Sequence, residues 1–141
     1  MRRTFAKLCL ILACGYLAGC AVLGSWQRSF LYFPQPAYAT NLAVTEKLPI
    51  ADATVLVTVH EHAGPGAVIF LAGNGDAAGQ LVPSLVAAFP DRAIFVLNYR
   101  GYGGSTGQAT EQTLVADALV LFDVVAARHP CLLYTSPSPR D

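Results

Sequence analysis

"VIFLAGNGDAAG", residues 68–79, runs an apolar segment into a loop built of glycines and alanines. A continuous apolar run of this kind reads as a strand buried on both faces. The loop that leaves it exposes bare backbone, and three chemistries use backbone in that way. It can cradle a phosphate, bind a dinucleotide, or point N–H groups at a developing oxyanion. The flanking residues have to choose among these, and in choosing they set the fold.

Upstream, "ATVLVTVHEH" (53–62) places Val55, Val57 and Val59 on one face of a strand. A weaker strand signal covers 41–45, and "AGPG" (63–66) reads as a hairpin turn. Downstream, 80–89 reads as a helix in which Pro83 is tolerable only in the first turn. "AIFVLN" (93–98) is a second fully buried strand, and "YRGYGGSTGQA" (99–109) is a loop. Thr110 then caps a helix with Glu111 in its first turn and Leu114, Ala118, Leu121, Phe122 and Val125 on one face. The order β-β-β-α-β-α predicts an α/β fold, an antiparallel hairpin leading into a parallel βαβα unit.

The ends read differently from the middle. "MRRTFAKLCLILACGYLAGC" opens with Arg2, Arg3 and Lys7, then turns apolar and ends in small residues before Cys20. That is the layout of a secretion signal. "LAGC" at 17–20 resembles the lipobox of bacterial lipoproteins, which implies a signal peptide over 1–19 and a lipid anchor on Cys20. The other reading is an uncleaved anchor, because the 17 residues from Leu8 to Gly24 carry no charge. Either way the chain is expected on a membrane, in the cell envelope, facing the periplasm or the exterior. If lipidated, it is expected at the outer membrane of a two-membrane bacterium, because Ala21 follows the cysteine.

A tether is expected over 20–39, where Pro34 and Pro36 prevent regular helix. The folded part is expected over 40–130. The last 11 residues, "CLLYTSPSPRD" (131–141), resemble the translation of a sequencing adapter and are read as a non-native tail. No disulfide is called for, since Cys9 and Cys14 belong to the leader, Cys20 to the anchor, and Cys131 is left over. At 141 residues and zero net charge, with Lys only at 7 and 47, there is one domain at most and no basic patch for nucleic acid.

The phosphate-loop reading fails because no lysine lies between 48 and the end. The dinucleotide reading has more support. Gly73-x-Gly75-x-x-Ala78 follows a strand and opens a helix, and Arg100 could meet a 2′-phosphate. However, two strands precede that unit, and no acidic residue ends the segment 93–98 to hold a ribose.

"FLAGNGDAAG", followed by "VLNYRGYGGSTG" and "TEQTLVADA", resembles the α/β-hydrolase superfamily. The similarity is to its membrane-tethered serine hydrolases, with a "HGNxGN" loop after the third strand and a "DYRGYGxSxG" loop after the fourth. The resemblance covers about 65–130 well and 27–64 loosely, and implies the N-terminal half of the hydrolase sheet. It further implies acyl hydrolysis (esterase, lipase, thioesterase or peptidase-like) of a small-molecule or lipid ester. In that family the loop after the third strand gives one backbone N–H to the oxyanion hole, here Asn74, just after Gly73. Ala72 stands where the family has a bracing His, and Asn98 where it has an Asp, so the loop loses its usual brace. No cofactor and no metal are implied.

Gly103-Gly104-Ser105-Thr106-Gly107 formally matches a nucleophile elbow, and Asp117, Asp123 and His129 follow in a suitable order. Yet Ser105 lies in mid-loop, and its three partners share one predicted helix, where Asp117 and His129 would stand about 18 Å apart. Ser105 is therefore read as a loop residue, with Arg100 and Tyr102 holding that loop. His60 and His62 could form a metal pair on one strand face but lack a third ligand, and Asp76 is read as a helix N-cap. The nucleophile, acid and base are expected beyond Pro130, which would leave the present chain inactive. The alternatives are an NADP-binding protein and a surface lipoprotein that keeps a degenerate hydrolase fold for binding.

Overall fold

A computed structural model describes residues 2–135, which fall into two units, 1–33 and 34 onward. The first holds one helix, α1 (Arg2–Leu31). It passes through Cys20 without a break, so the first dozen residues read as tether are helical. It stops three residues before Pro34, whose ring and missing N–H end helix. Its window Cys9–Trp26 has mean hydropathy 1.8 over 18 residues, none buried. At 1.5 Å per residue this spans about 27 Å, close to a bilayer's apolar thickness of about 30 Å. The N-terminal helix thus has the length and composition of a signal sequence or a membrane anchor.

The second unit is a five-stranded sheet flanked by two helices. In chain order these are β1 (Val44–Leu48), β2 (Val55–His60), β3 (Gly66–Phe70), α2 (Ala78–Ala88), β4 (Ala93–Asn98), α3 (Glu111–Arg128) and β5 (Cys131–Thr135). The spatial order is β1-β2-β4-β3-β5. β1 pairs antiparallel with β2, from Val44↔Val59 to Leu48↔Val55. β4 lies between β2 and β3, antiparallel to the first (Leu56↔Asn98) and parallel to the second (Val68↔Ile94). The fold is α/β, as the element order predicts.

The turn "AGPG" is corrected by this topology. It joins β2 to β3, but those strands do not pair; the hairpin is β1–β2. β4 takes the place between them because an apolar strand gains most by burying both faces. Ala93, Phe95 and Leu97 pack with Val55, Val57, Val59, Leu121 and Val125 on the α3 side. Ile94 and Val96 pack with Val68, Val82 and Leu85 on the α2 side.

Both helices depart from the sequence expectation. α2 starts two residues early, which puts Pro83 inside it instead of in its first turn. Pro83 is exposed, so its ring meets solvent, and the cost is the hydrogen bond that Gly79's carbonyl would otherwise accept from residue 83. In α3 the capping box forms: Thr110 Oγ1 accepts from the Thr113 N–H and Thr113 Oγ1 from the Thr110 N–H. Its buried residues, however, are Asp117, Leu121 and Val125, while Phe122 stays 40% exposed. Asp117 can occupy the apolar stripe because it meets a cation there, described below.

The segment read as a foreign tail supplies β5, paired in parallel with β3 from Gly66↔Cys131 to Phe70↔Thr135. Over those residues the outer edge of β3 is therefore covered. A strand edge presents rows of unpaired N–H and C=O groups, which any short extended run can satisfy. Residues 136–141, the rest of that expected tail, lie outside the described residues.

Leu121 is the buried anchor of α3 on the sheet. Leu121→Ala should lower unfolding stability by about 2–5 kcal/mol, the usual cost of a Leu-to-Ala cavity. Urea titration followed by circular dichroism measures it, with an unchanged slope indicating a pure stability effect.

Candidate active site

β3 and β4 run parallel, and the helices that follow them lie on opposite faces of the sheet. Their C-terminal ends therefore open a crevice at the switch point of the topology, where ligands bind in open α/β sheets. Two loops form its walls, 71–77 after β3 and 99–109 after β4.

In the first loop the Gly73 N–H donates to Asp76 Oδ2 at 3.1 Å, and the Asp76 N–H to the Gly73 carbonyl at 3.2 Å. A Cβ on residue 73 would come within 2.9 Å of that carboxylate, so the bare backbone makes room for Asp76. Gly75 turns the chain with φ +95°, a region that favours glycine. The N-cap reading of Asp76 is thereby corrected: Ala77 is the N-cap of α2, without a side-chain bond, and Asp76 closes the loop instead. Asn74 lies exposed at the loop's tip.

Ala72 has no side chain to brace this loop, and two tyrosines do it from the other wall. Tyr99 Oη donates to the Ala72 carbonyl at 3.1 Å, and Tyr102 Oη to Asn74 Oδ1 at 2.8 Å. Their rings meet edge to face at 6.1 Å. The sequence reading missed Tyr99; its only signal was its place directly after a buried strand, opposite the glycine loop.

The second loop is pinned at several points. Gly103 has φ +57° and lies so close to the Asn98 amide that a Cβ would collide with it. Asn98 Nδ2 donates to Thr58 Oγ1 at 3.0 Å. Arg100 is buried and held twice. Nε and one terminal nitrogen donate to Asp117 at 2.8 Å each. The two terminal nitrogens donate to Asp52 at 2.7 and 3.1 Å. Arg100 thus ties the loop to α3 and to the β1–β2 connection, the holding role expected of it.

Ser105 is 7% exposed and committed on both sides: Oγ donates to the Asn98 carbonyl at 2.8 Å and accepts from the Leu56 N–H at 2.9 Å. It fastens the loop to β2, and Thr106 repeats this with Thr54. Its formal triad partners lie elsewhere. Asp117 is taken by Arg100, and Asp123 is exposed on α3. His129 stands at the far end of the sheet, with Nδ1 bonded to the Gly64 carbonyl at 3.3 Å and its ring against Phe95.

His60 donates from Nδ1 to the Leu42 carbonyl at 2.6 Å, while His62 Nδ1 accepts from the Gly64 N–H at 3.0 Å. Among the described residues no group of three or more His, Cys, Asp or Glu could hold a metal. Cys20 is exposed on α1. Beside the crevice, Leu71, Tyr99, Leu114, Val115, Ala118, Leu119 and Phe122 line an open apolar groove of about 280 Å³.

The arrangement does not suit a standing pyrophosphate. A dinucleotide phosphate at this loop would face the Asp76 carboxylate, and Arg100 is already engaged by two carboxylates. No protein-family model matches the chain.

The Arg100 guanidinium, by its hydrogen bond, holds the Asp52 carboxyl below its ordinary 3.8. A depressed carboxyl stabilises the fold above its unfolded value, and that contribution is lost as pH falls through the folded one. On acidification below about pH 4, the native chain should therefore lose stability more steeply than Asp52→Asn. Urea midpoints compared at pH 7 and pH 3 test this; parallel losses in the two proteins would contradict it.

Proposed function

We propose that this chain carries the oxyanion loop of a membrane-tethered, extracytoplasmic acyl hydrolase of the α/β-hydrolase kind. The observation that supports it most is the setting of Gly73 and Asn74. They sit at the C-terminal end of a parallel strand, in the switch-point crevice, on a loop fixed by Asp76, Tyr99 and Tyr102. Stabilising a tetrahedral intermediate requires donors already in place, so that nothing reorganises as charge develops.

In this reading a serine attacks the carbonyl carbon of an ester, thioester or amide, and a histidine takes the serine proton. The backbone N–H of Asn74 and that of the residue after the serine hold the oxyanion. Ser105 does not serve, because its hydroxyl is committed to Asn98 and Leu56. The nucleophile, acid and base are assigned to residues that would follow Pro130 in a longer chain. A binding role without chemistry is the second reading, and the missing histidine at Ala72 favours it.

A fluorophosphonate probe should leave Ser105 of the 141-residue chain unmodified and label a downstream serine in the chain extended by its genomic continuation. In that extended protein Asn74→Ala should keep much of the activity, since the role belongs to the backbone. Asn74→Pro removes the N–H and should cost about 10²–10³ in kcat. A folded Asn74→Pro enzyme with undiminished kcat would remove the oxyanion assignment, and absence of any labelled serine would favour the binding role.

The tether is proposed to be a lipid on Cys20, supported by the "LAGC" that ends the apolar leader. Labelled fatty acid should enter the expressed protein and be lost in Cys20→Ser. Equal incorporation in both would leave α1 as an uncleaved anchor.

A further inference from the structure

The crevice continues into a groove. Leu71 and Tyr99, the first residues after β3 and β4, lie on the α3 side of the sheet, packed against the cluster that holds Leu121 and Val125. With the first half of α3 they line the open apolar channel of about 280 Å³. Its helical wall includes Val115, Leu119 and Phe122, four and three residues apart and therefore on one face of α3. Leu119 is 60% exposed and Val115 is exposed beside it. A contiguous apolar stripe turned to water marks a surface that something else covers.

The lining decides what kind of cover fits. None of its residues carries a charge, so an ionic group finds no partner there. The volume lies near the lower limit of small-molecule sites, roughly 300 Å³. From Leu114 to Phe122 the helix rises about 12 Å. An extended covalent chain gains about 3.6 Å over three bonds, so that length matches an alkyl run of roughly ten carbons. The groove is also joined to the loop of Asn74. Tyr99 lines it, and the Tyr99 Oη donates to the Ala72 carbonyl at 3.1 Å. The Tyr99 ring meets Tyr102, whose Oη donates to Asn74 Oδ1. Leu71 is only three Cα steps from Asn74, which places the two within about 11 Å.

We propose that this groove holds the alkyl chain of an aliphatic acyl ester, roughly ten carbons long, whose carbonyl lies at the Asn74 N–H. The inference rests on the oxyanion reading of that N–H and adds the substrate class, a medium-chain acyl group without charge. Val115, Leu119 and Phe122 set the specificity, because each methylene they cover leaves water and adds a similar increment of binding. A charged or strongly polar acyl group is rejected, since it would be desolvated without a partner.

Two other occupants would leave different marks. A second copy seated on the groove would make a dimer that a polar residue at 119 dissociates. A downstream segment of a longer chain would hide position 119 from solvent.

The chain extended by its genomic continuation is assayed with para-nitrophenyl esters from acetyl to dodecanoyl, in cholate, a detergent without an alkyl chain. The ratio kcat/KM should rise about two- to fourfold per added methylene and level off near the decanoyl ester. Leu119→Gln should flatten the rise and Leu119→Met should restore it, with Val115→Thr as a second variant should the first disturb the fold. In the 141-residue chain, a decanoyl amide carrying a diazirine at its far end should crosslink to α3 between Val115 and Phe122, and decanol should compete. A flat response to chain length, or a rise unchanged in folded Leu119→Gln and Val115→Thr, overturns the proposal. So does a dimer dissociated by Leu119→Gln, or a Leu119→Cys thiol in the extended chain that maleimide cannot reach. A serine labelled by fluorophosphonate in that same protein keeps the hydrolase reading when the groove fails. Where no serine is labelled that reading fails instead, and the crosslink decides the groove: attachment within Val115–Phe122 supports it and attachment elsewhere overturns it.

Discussion

Arg100 between Asp117 and Asp52 is the constraint on which the crevice depends. A guanidinium removed from water is costly unless its donors are matched, and its planar fork is matched here by two carboxylates. The three residues come from three places: the loop after β4, the middle of α3, and the connection between β1 and β2. One interaction therefore fixes the direction in which the chain leaves β4 and the height at which α3 lies on the sheet. Asp117 is only 2% exposed, whereas Asp52 reaches in from the surface, so the clamp has a buried inner half and a solvent-facing outer half.

Around that clamp, polar contacts replace what a longer side chain at Ala72 would do. The loop after β3 has almost no side chains of its own to hold it. Its shape comes from one internal carboxylate and from two tyrosines across the crevice. Tyr102 and Ser105 belong to the same loop, and Ser105 is what holds that loop to β2. The serine that imitates a nucleophile in the sequence is thus two contacts away from Asn74. It supports the proposed oxyanion loop through structure.

The elements that sequence reading places well are those whose burial is uniform. "AIFVLN" is apolar throughout because both of its faces meet a helix layer, and its bounds match the strand observed. Thr110 is legible as a cap because the cap bond is local. The errors arise where distant residues intervene. "AGPG" looks like a hairpin turn, but pairing depends on β4, nearly thirty residues later. Phe122 looks like core because periodicity ignores Asp117, whose burial requires an arginine from another element. Asp76 looks like a cap because the spacing fits, while the Gly73 N–H competes for its carboxylate. The positions of Gly73 and Asn74 were legible in the glycine pattern, and their tyrosine braces were not, since nothing local couples residues 72 and 99.

β5 and the crevice loops are held by opposite means. Backbone pairing places β5 against β3, and such pairing accepts many sequences, including a segment that reads as foreign to the domain. The loops at the other ends of β3 and β4 are held by side chains at named positions. Exchanging Tyr99, Tyr102, Asp76, Ser105 or Arg100 removes a specific bond. A sheet edge therefore says little about what this chain does, and a match of strands would be weak evidence for any activity. The functional reading rests instead on loops where side-chain bonds hold a stretch of nearly bare backbone in one shape, which is the arrangement that backbone donors require before they can act on charge.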